Sequence, residues 1–461
     1  MKRSIFSILG ALVLLAACEK KDPEPEVNPV RYYSNTFAYN VMSTYYLWKD
    51  EVASQLKNWN VNEDAVAKVE SSRYSADKWT TLYEDYTAFE SSVTGNGKSF
   101  GLDFGLFWAD EAKTRIAAVV NYTYEDGPAQ KAELRRGDII LTIDGQEMTK
   151  DNYAGLAGKL YEGGSVTLGL YGGRTVTLDA VQMYENPVQT VLTFESAGKK
   201  YGYLHFTGFT LDACKDLENV FRAFKEEGIQ ELILDLRYNG GGYAYTATAL
   251  ASMIAPAEVV KAKKVFNKDV YNDLLGDDLD SETLFSDEFS YTSSAGNKMT
   301  VKPLEVNPGV SHLWVIVSGN TASASEALIC GLKPYMDVTL VGQTTYGKFC
   351  GGNLIPAADW FDSVKKSNPS TSLDCDAGKA ALPHWGLYVI TSRYADCNGV
   401  TLSMPSGIPA DVTAQDNPFD GFELGTLAET MLSAVLGSTK ADVSSVPMIP
   451  YHRPGFGVLL Y

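Results

Sequence analysis

Histidine and cysteine are scarce in this chain of 461 residues, which contains four and six of them respectively. The cysteines lack CxxC spacing, so no zinc-type site is indicated, and we predict neither a metal nor another cofactor. The triple glycine at residues 240–242 lacks the GxxxxGK[ST] context of a P-loop, and no Rossmann glycine pattern follows the first predicted strand of the surrounding region. Metal-dependent and nucleotide-dependent chemistry therefore has no support in the sequence.

Basic residues are in the minority, since 39 Lys and Arg face 57 Asp and Glu and the formal net charge is −18. A chain this acidic is a poor nucleic-acid binder, because phosphate backbones repel it. The charges are spread along the chain rather than gathered in blocks, which is typical of a solvated globular surface.

Long apolar runs are also missing, apart from a 13-residue stretch at residues 5–17 that follows Lys2 and Arg3. This stretch is too short to span a bilayer and is typical of a secretory signal. It ends in LAAC, which resembles a bacterial lipobox, so we predict a signal peptide at 1–17, lipidation of Cys18 and a charged, proline-containing tether at 18–31. The expected location is exported and lipid-anchored to a bacterial cell-envelope membrane, on its periplasmic or surface face; an ordinary signal peptide with an incidental cysteine is the alternative.

Five cysteines remain after Cys18, and an exported chain permits one or two disulfides among them. We expect one disulfide within the late, loop-rich part of the chain, among Cys350, Cys375 and Cys397.

The predicted organisation has three folded parts. Residues 32–95 are aromatic-rich and predict a small helical region, with Phe37, Val41, Tyr45 and Trp48 on one buried helix face. Residues 99–181 show short alternating strands, and 198–435 alternate strands with helices, which favours an α/β domain with a largely parallel sheet and flanking helices. Residues 436–461 form a C-terminal tail.

The second part contains GPAQKAELRRGDIILTIDGQEM at residues 127–148, where a short helix, a strand and a tight Asp-Gly turn follow one another. The segment resembles a PDZ domain, a β-rich unit in which an extended peptide is added as a strand. The resemblance implies that the loop formed by Ser99, Phe100, Gly101 and Leu102 binds a peptide carboxylate.

Three segments of the α/β part carry a second resemblance: LILDLRYNGGG, NTASASEALICGL and VGQTTYGKFCG. In this order and spacing they resemble the oxyanion, nucleophile and general-base segments of the C-terminal processing, or tail-specific, serine peptidases. In that family the nucleophile lies three residues before a glutamate, here Glu326, and the base follows 25 residues later. The resemblance therefore implies a Ser323/Lys348 dyad.

The same residues make chemical sense by themselves. A serine hydroxyl needs a neighbouring base, and a lysine serves only if burial lowers its pKa from about 10.4. We expect Tyr346 and Phe349 to supply that apolar pocket. Backbone N–H groups of Gly241 and Ala324 are the expected oxyanion donors, aided by the start of a helix after Ser323.

Two positions depart from the family pattern. The glutamine that orients the lysine in many members is Gly352 here, so Asn353 is the candidate replacement unless the dyad works alone. Other members have an aspartate where this chain has Pro334. Ser325 and Thr321 remain rival nucleophiles.

The expected function is a serine endopeptidase that cleaves polypeptides recognised by accessible C-terminal tails, through an acyl-enzyme. Three alternatives stay open. They are a catalytically weak or inactive peptide-binding lipoprotein on a peptidase scaffold, an esterase or amidase with the same nucleophile, and a Ser/His/Asp site assembled in space from one of His205, His312, His384 and His452.

The lipidation prediction is tested by the substitution Cys18→Ala. We expect the variant to be released from membranes or to accumulate as an unprocessed precursor, because the thiol that carries lipid is gone. Metabolic labelling with a fatty acid, followed by membrane fractionation, measures this; a variant that still incorporates the label contradicts it.

Overall fold

The computed structural model of the protein describes residues 28–400 and 406–437, together with the strand residues 448–449 and 459–460. The predicted signal peptide, Cys18, most of the tether, His452 and most of the C-terminal tail lie outside these ranges. Within them, no helix is both long and apolar enough to cross a membrane.

The N-terminal region is mostly helical. Asn28 caps the first helix through its side chain and Pro29 occupies the first turn, where a missing N–H costs nothing. Phe37 and Val41 are fully buried as predicted, whereas Trp48 lies beyond the end of the helix. The elements are α1 (Pro29–Tyr45), α2 (Ala53–Lys57), α3 (Ala65–Ser71), β1 (Thr81–Tyr83) and α4 (Thr87–Thr94).

The region is more than a helical cap, because β1 pairs with a strand of the α/β part, residues 386–388. Its aromatic residues share one hydrophobic cluster with Trp360 and Phe361 from that part. This strand was not predicted from the sequence, since three residues are too few to show a period.

The PDZ-like part forms a twisted antiparallel sheet with two helices. The turn Asp144-Gly145 connects two paired strands with positive φ at both residues, 52° and 74°, as a two-residue hairpin requires. The elements are β2 (Asn96–Ser99), β3 (Leu102–Trp108), β4 (Arg115–Thr123), α5 (Pro128–Lys131), β5 (Ile139–Ile143), β6 (Gln146–Thr149), α6 (Tyr153–Glu162), β7 (Ser165–Leu170), β8 (Thr175–Asp179) and β9 (Val181–Tyr184).

The α/β part is the largest. Its elements are β10 (Val188–Ser196), β11 (Lys199–Phe206), α7 (Ala213–Glu227), β12 (Glu231–Asp235), β13 (Gly242–Tyr243), α8 (Ala244–Ile254), α9 (Ala257–Lys261), β14 (Val265–Tyr271), α10 (Gly276–Leu279), β15 (Ser281–Leu284), β16 (Phe289–Thr292), β17 (Lys298–Val301), α11 (Pro303–Val306), β18 (His312–Val317), α12 (Ala324–Leu332), β19 (Val338–Gly342), β20 (Cys350–Pro356), α13 (Ala357–Ser367), α14 (Cys375–Ala381), β21 (Gly386–Ala395), β22 (Val412–Thr413) and α15 (Thr430–Val435). Two short strands of the tail follow, β23 (Met448–Ile449) and β24 (Leu459–Leu460).

The main sheet has the order β10-β11-β12-β18-β19-β22, and every pairing except that of β10 is parallel. The predicted largely parallel α/β layer is therefore confirmed. Strand β12 is buried at all five residues, as expected for a strand covered on both faces. Helix α7 buries Leu217, Phe221 and Phe224 and ends at Gly228, whose φ of 67° suits a left-handed cap.

A second sheet was not predicted. It is antiparallel and joins β1, β21, β14 and β15, with β20 also on β21. Its strands are far apart in the sequence, between residues 81 and 395, so no local pattern predicts that they pair. The loop after β19 connects the two sheets directly through Lys348 to β20.

The predicted disulfide is wrong, because Cys350, Cys375 and Cys397 are all free thiols in the structure. They lie on different elements: Cys350 begins β20 in the core, Cys375 opens α14, and Cys397 follows β21 near Tyr335. Loop-rich sequence alone does not bring cysteines within the short distance that a disulfide needs.

Candidate active site

Ser323 lies between β18 and α12, immediately before the first helical residue, Ala324. Its backbone has φ 60° and ψ −114°, a conformation that costs a non-glycine residue about 1–3 kcal/mol. Both of its peptide groups are held: the N–H donates to Glu326, and the carbonyl accepts from Ala327 and from the Tyr394 hydroxyl. The fold thus imposes the conformation on this serine.

The rival hydroxyls have structural roles. Thr321 donates to the carbonyl of Leu236, and Ser325 donates to the carbonyl of Asn239. The Oγ of Ser323 is buried and makes no hydrogen bond to any part of the chain that the structure describes. Of the three candidate nucleophiles, Ser323 alone has an uncommitted hydroxyl.

A single buried carboxylate, that of Glu326, connects the serine and lysine segments. Its Oε2 accepts from the backbone N–H of Ser323 and of Lys348, each at 2.8 Å. Its Oε1 accepts from the N–H of Gly347 at 2.8 Å and from the Thr345 hydroxyl. Burial raises the pKa of Glu326, and these four donors oppose that rise. Because one oxygen serves both backbones, residues 323 and 348 are fixed side by side.

Tyr394 provides a second connection, since its hydroxyl lies 3.1 Å from the carbonyl oxygen of Ser323 and 2.9 Å from that of Lys348. The two segments are therefore joined at their N–H groups by Glu326 and at their carbonyl groups by Tyr394. The structural role of Glu326 was not predicted. The S-x-x-E pattern of residues 323–326 is a capping signal at a helix start and could have indicated it.

The side chain of Lys348 is fully buried, and its Nζ lies 4.9 Å from the ring centre of Trp79 and 5.4 Å from that of Tyr388. Burial lowers the pKa of Lys348 to about 8. The predicted neighbours act less directly, because Tyr346 packs on Trp79 and Phe349 packs on Tyr394. Trp79 comes from the N-terminal region, which the sequence could not connect with the site.

Asn353 does not take the place of the missing glutamine in this structure. Its amide donates to Thr391 at 3.0 Å, whereas the Nζ of Lys348 lies 3.4 Å from the hydroxyl of Tyr388. A Cβ at Gly352 would stand only 2.8 Å from that hydroxyl. Glycine at this position thus leaves the space that Tyr388 fills, and the tyrosine supplies the polar partner of the amine.

The glycine loop lies beside the nucleophile segment, as predicted. The carbonyl of Asn239 accepts from the N–H of Ala322 and from Ser325, which ties the two loops together. The predicted oxyanion donor is occupied, however, because the N–H of Gly241 donates to the Asn239 side chain at 2.9 Å. Asparagine readily forms this local turn two residues ahead of the N–H it accepts from. Ala324 opens α12, so its N–H is among those without an intrahelical acceptor.

The base of the glycine loop is joined to the PDZ-like part by buried charges. Arg136 of that part lies 2.7 Å from Asp416, which is also 2.7 Å from Arg237, and Arg237 pairs with Glu429 at 2.6 Å. Burial alone would raise the pKa of Asp416, but Arg237 and Arg136 lower it to about 2. Removing one partner would leave an uncompensated buried charge, which is costly. These ion pairs therefore hold the PDZ-like part in a fixed position against the α/β part.

The predicted carboxylate loop of the PDZ-like part is compact. Phe100 is buried, its carbonyl and that of Gly101 accept backbone N–H groups, and Leu102 begins β3. The Ser99 hydroxyl accepts from the N–H of Gly101 and contacts Glu185. One N–H of the loop is therefore already engaged, and the carboxylate-binding role stays a prediction.

Three of the four histidines lie in the described residues, and none of them hydrogen-bonds Ser323. His205 is buried between tyrosines, where burial lowers its pKa to about 4; His312 contacts Thr339. The geometry gives a Ser/His/Asp site no support.

Comparison with known families agrees with the sequence motifs. The family model "Peptidase family S41" matches residues 200–413, and a PDZ domain model matches residues 119–171. Residues 200–413 are therefore a peptidase family S41 domain. The predicted resemblance is confirmed for this domain and for the PDZ unit that precedes it.

Curated relatives are carboxy-terminal processing proteases. The chain is 26% identical over 288 residues to carboxy-terminal processing protease CtpB of Bacillus subtilis, a match that covers 61% of this chain and 54% of that protein. It is 26% identical over 283 residues to the carboxyl-terminal-processing protease of a Picosynechococcus species, covering 59% and 60%. The chain thus spans only about half to three fifths of these relatives.

Among solved structures, a putative S41 protease from Bacteroides fragilis is similar over 92% of this chain and 100% of its own, with a TM-score of 0.65 and 20% identity. At that identity the likeness concerns the fold alone. The similarity in fold covers nearly the whole of this chain.

The role of Glu326 is tested by the substitution Glu326→Gln. A glutamine amide places N–H donors against backbone N–H groups, so we expect unfolding in urea to show a loss of roughly 1–3 kcal/mol. Glu258→Gln on the exposed surface of α9 is the matched control, and we expect it to stay within about 0.5 kcal/mol of wild type. Equal free energies of unfolding for the two variants would contradict the role given to Glu326.

Proposed function

We propose that this protein is a serine endopeptidase that cleaves polypeptides recognised by accessible C-terminal tails, with Ser323 as nucleophile and Lys348 as general base. The observation that carries the proposal is the shared Glu326 carboxylate, which holds the backbones of Ser323 and Lys348 side by side. The hydroxyl of Ser323 has no hydrogen-bond partner in the described chain, and burial lowers the pKa of Lys348 to about 8. The strained conformation of Ser323 supports it, because strain of this kind is concentrated at functional sites.

Ser323 and Lys348 together supply the nucleophile and the proton transfers that peptide hydrolysis requires. Neutral Lys348 takes the proton of Ser323 while the Oγ attacks the peptide carbonyl, and the lysine then gives that proton to the leaving amine as the C–N bond breaks. Water then attacks the acyl-enzyme ester while Lys348 accepts its proton, and the lysine returns that proton to the Oγ of Ser323 as the ester C–O bond breaks and the new carboxyl end leaves. The N–H of Ala324 at the helix start favours the negative charge on the attacked oxygen.

Two changes are needed before this chemistry begins. The Nζ of Lys348 is directed to Tyr388 and makes no hydrogen bond with Ser323, whose Oγ has no partner within the described chain. The N–H of Gly241 must also leave Asn239 to reach an oxyanion. Catalytic hydrogen bonds commonly tighten only when substrate is bound.

These same two features favour a second candidate, a catalytically weak or inactive peptide-binding protein on a peptidase scaffold. In that case the PDZ-like unit captures peptides and the serine is never activated. A serine-reactive phosphonate distinguishes the two functions, because only an activated Ser323 becomes labelled.

We also propose that the protein is exported and lipid-anchored to a cell-envelope membrane. The support is the apolar segment before LAAC and the tether that follows it. Its test is the Cys18→Ala variant described above.

The dyad is tested by Ser323→Ala, Lys348→Met and Lys348→Arg. We expect Ser323→Ala to abolish hydrolysis of a reporter peptide and both lysine variants to lose about 10²–10⁴ in rate, since a guanidinium stays protonated. For wild type, kcat/KM should rise with pH through about 8 and then level, because burial lowers the lysine pKa and only the neutral amine accepts a proton. A Lys348→Arg variant that retains most of the activity would remove Lys348 from the mechanism.

Tyr388 is proposed as the residue that positions the lysine, and Tyr388→Phe deletes only its hydroxyl. We expect kcat to fall with little change in KM. The acid limb of the pH profile should move to lower pH, because the hydroxyl accepts from and stabilises the ammonium form. Tyr335→Phe, which deletes a hydroxyl bonded to Val265 elsewhere in the domain, is the control and should leave the limb unmoved. A Tyr388→Phe profile that overlays wild type argues against positioning.

A further inference from the structure

An edge strand of the PDZ-like domain, β3, pairs with a distant part of the same chain. Strand β3 directly follows the predicted carboxylate loop, and one of its edges pairs with β4. Its other edge pairs antiparallel with β23, where Met448 is opposite Phe107 and Ile449 is opposite Leu106. The backbone of the tail thus adds a strand to this edge, which is how such sheets bind extended peptides.

The same tail reaches the catalytic cleft ten residues later. Strand β24 pairs in parallel with β13, with Leu459 opposite Gly242 and Leu460 opposite Tyr243. It also lies against β20, which begins two residues after Lys348. The backbone at residues 459–460 therefore lies between the glycine loop on one side and the strand that follows the lysine on the other.

The cleft that holds this tail is not arranged for catalysis. The N–H of Gly241, adjacent to the residue that pairs with the tail, donates to Asn239, and the dyad side chains are not hydrogen-bonded to each other. A peptide held here in this state would not be cleaved. The structure therefore combines a tail strand paired beside the glycine loop with a Gly241 N–H that is already engaged.

We propose that the two tail strands, residues 448–449 and 459–460, are an internal, displaceable occupant of the peptide-binding site, which competes with polypeptide substrates. This inference rests on the proposed function only in taking the β3 edge and the cleft as the substrate site. Each tail strand has two residues, so each makes few backbone hydrogen bonds and is weak alone. Attachment to the same chain compensates, because it gives an effective concentration in the millimolar range.

The tail also indicates the chemical class of competing substrate. Its sequence from residue 446, VPMIPYHRPGFGVLLY, carries one formally charged side chain, Arg453, in a chain whose net charge is −18. Recognition through backbone strand addition with mainly apolar side chains suits extended, weakly charged and apolar polypeptide ends. Acidic peptides are disfavoured by the charge of the protein.

The test uses full-length protein in a Ser323→Ala background and a fluorescein-labelled peptide of sequence VPMIPYHRPGFGVLLY as probe. The test variant replaces Met448, Ile449, Leu459 and Leu460 with proline, which removes the N–H groups that strand pairing needs. The control variant places proline at Val443 and Ser444, outside both strands. Hydrogen exchange at Leu106 and Gly242, whose N–H groups face the two tail strands, is followed in parallel, and circular dichroism checks that each variant is folded.

If the tail fills about nine tenths of the sites, releasing it should tighten probe binding roughly tenfold, because the competent fraction rises from a tenth to nearly all. Exchange at these two amides should accelerate in the test variant alone, and saturating probe should restore their protection. Equal probe affinity in wild type, test and control variants overturns the proposal, as does unchanged exchange. If the test variant unfolds, wild type decides: a probe that binds wild type without accelerating exchange in the tail strands, residues 448–449 and 459–460, also overturns it.

The dependence of amide protection on protein concentration shows whether the tail binds its own chain or a second copy. Protection in wild type should be the same at low and high protein concentration; protection that appears only at high concentration overturns the internal arrangement. Residual cleavage of the probe by Ser323→Ala protein would refute the proposed nucleophile, while the binding result would still decide the tail proposal.

Discussion

The site depends on one buried carboxylate. Glu326 accepts hydrogen bonds from the backbones of Ser323 and Lys348 through a single oxygen, and from Gly347 and Thr345 through the other. A buried carboxylate without donors would be costly, so the two loops must meet around it for the fold to be stable. The requirement to satisfy this charge is what holds the Ser323 and Lys348 segments together.

The pocket around the Lys348 side chain depends on a second constraint. Strands from distant parts of the chain must pair to form the antiparallel sheet. Trp79 arrives shortly before β1 and Tyr388 lies on β21, and together they line the Nζ of Lys348. Apolar burial lowers the lysine pKa, while the Tyr388 hydroxyl gives the amine one polar partner. The N-terminal region thereby shapes the chemistry of a residue more than 250 positions away.

The tail pairs with both the PDZ-like edge and the strand after the glycine loop, while the loop N–H is held by Asn239. The buried pairs of Arg136 and Arg237 with Asp416 join the PDZ-like part to the base of that loop. The tail strand β24 and the engaged N–H of Gly241 are therefore neighbours in the fold.

The sequence by itself determined the parallel sheet through the alternation of strands and helices, and it indicated the PDZ-like unit, Ser323 and Lys348 through motifs that resemble known families. Tertiary structure alone decided the partner of the lysine, which is Tyr388 rather than Asn353, and the lining by Trp79. It also showed that Gly241 is engaged and that the three late cysteines are free. These features depend on contacts between segments far apart in the chain, and a side chain's neighbours across two sheets leave no period or spacing in the sequence.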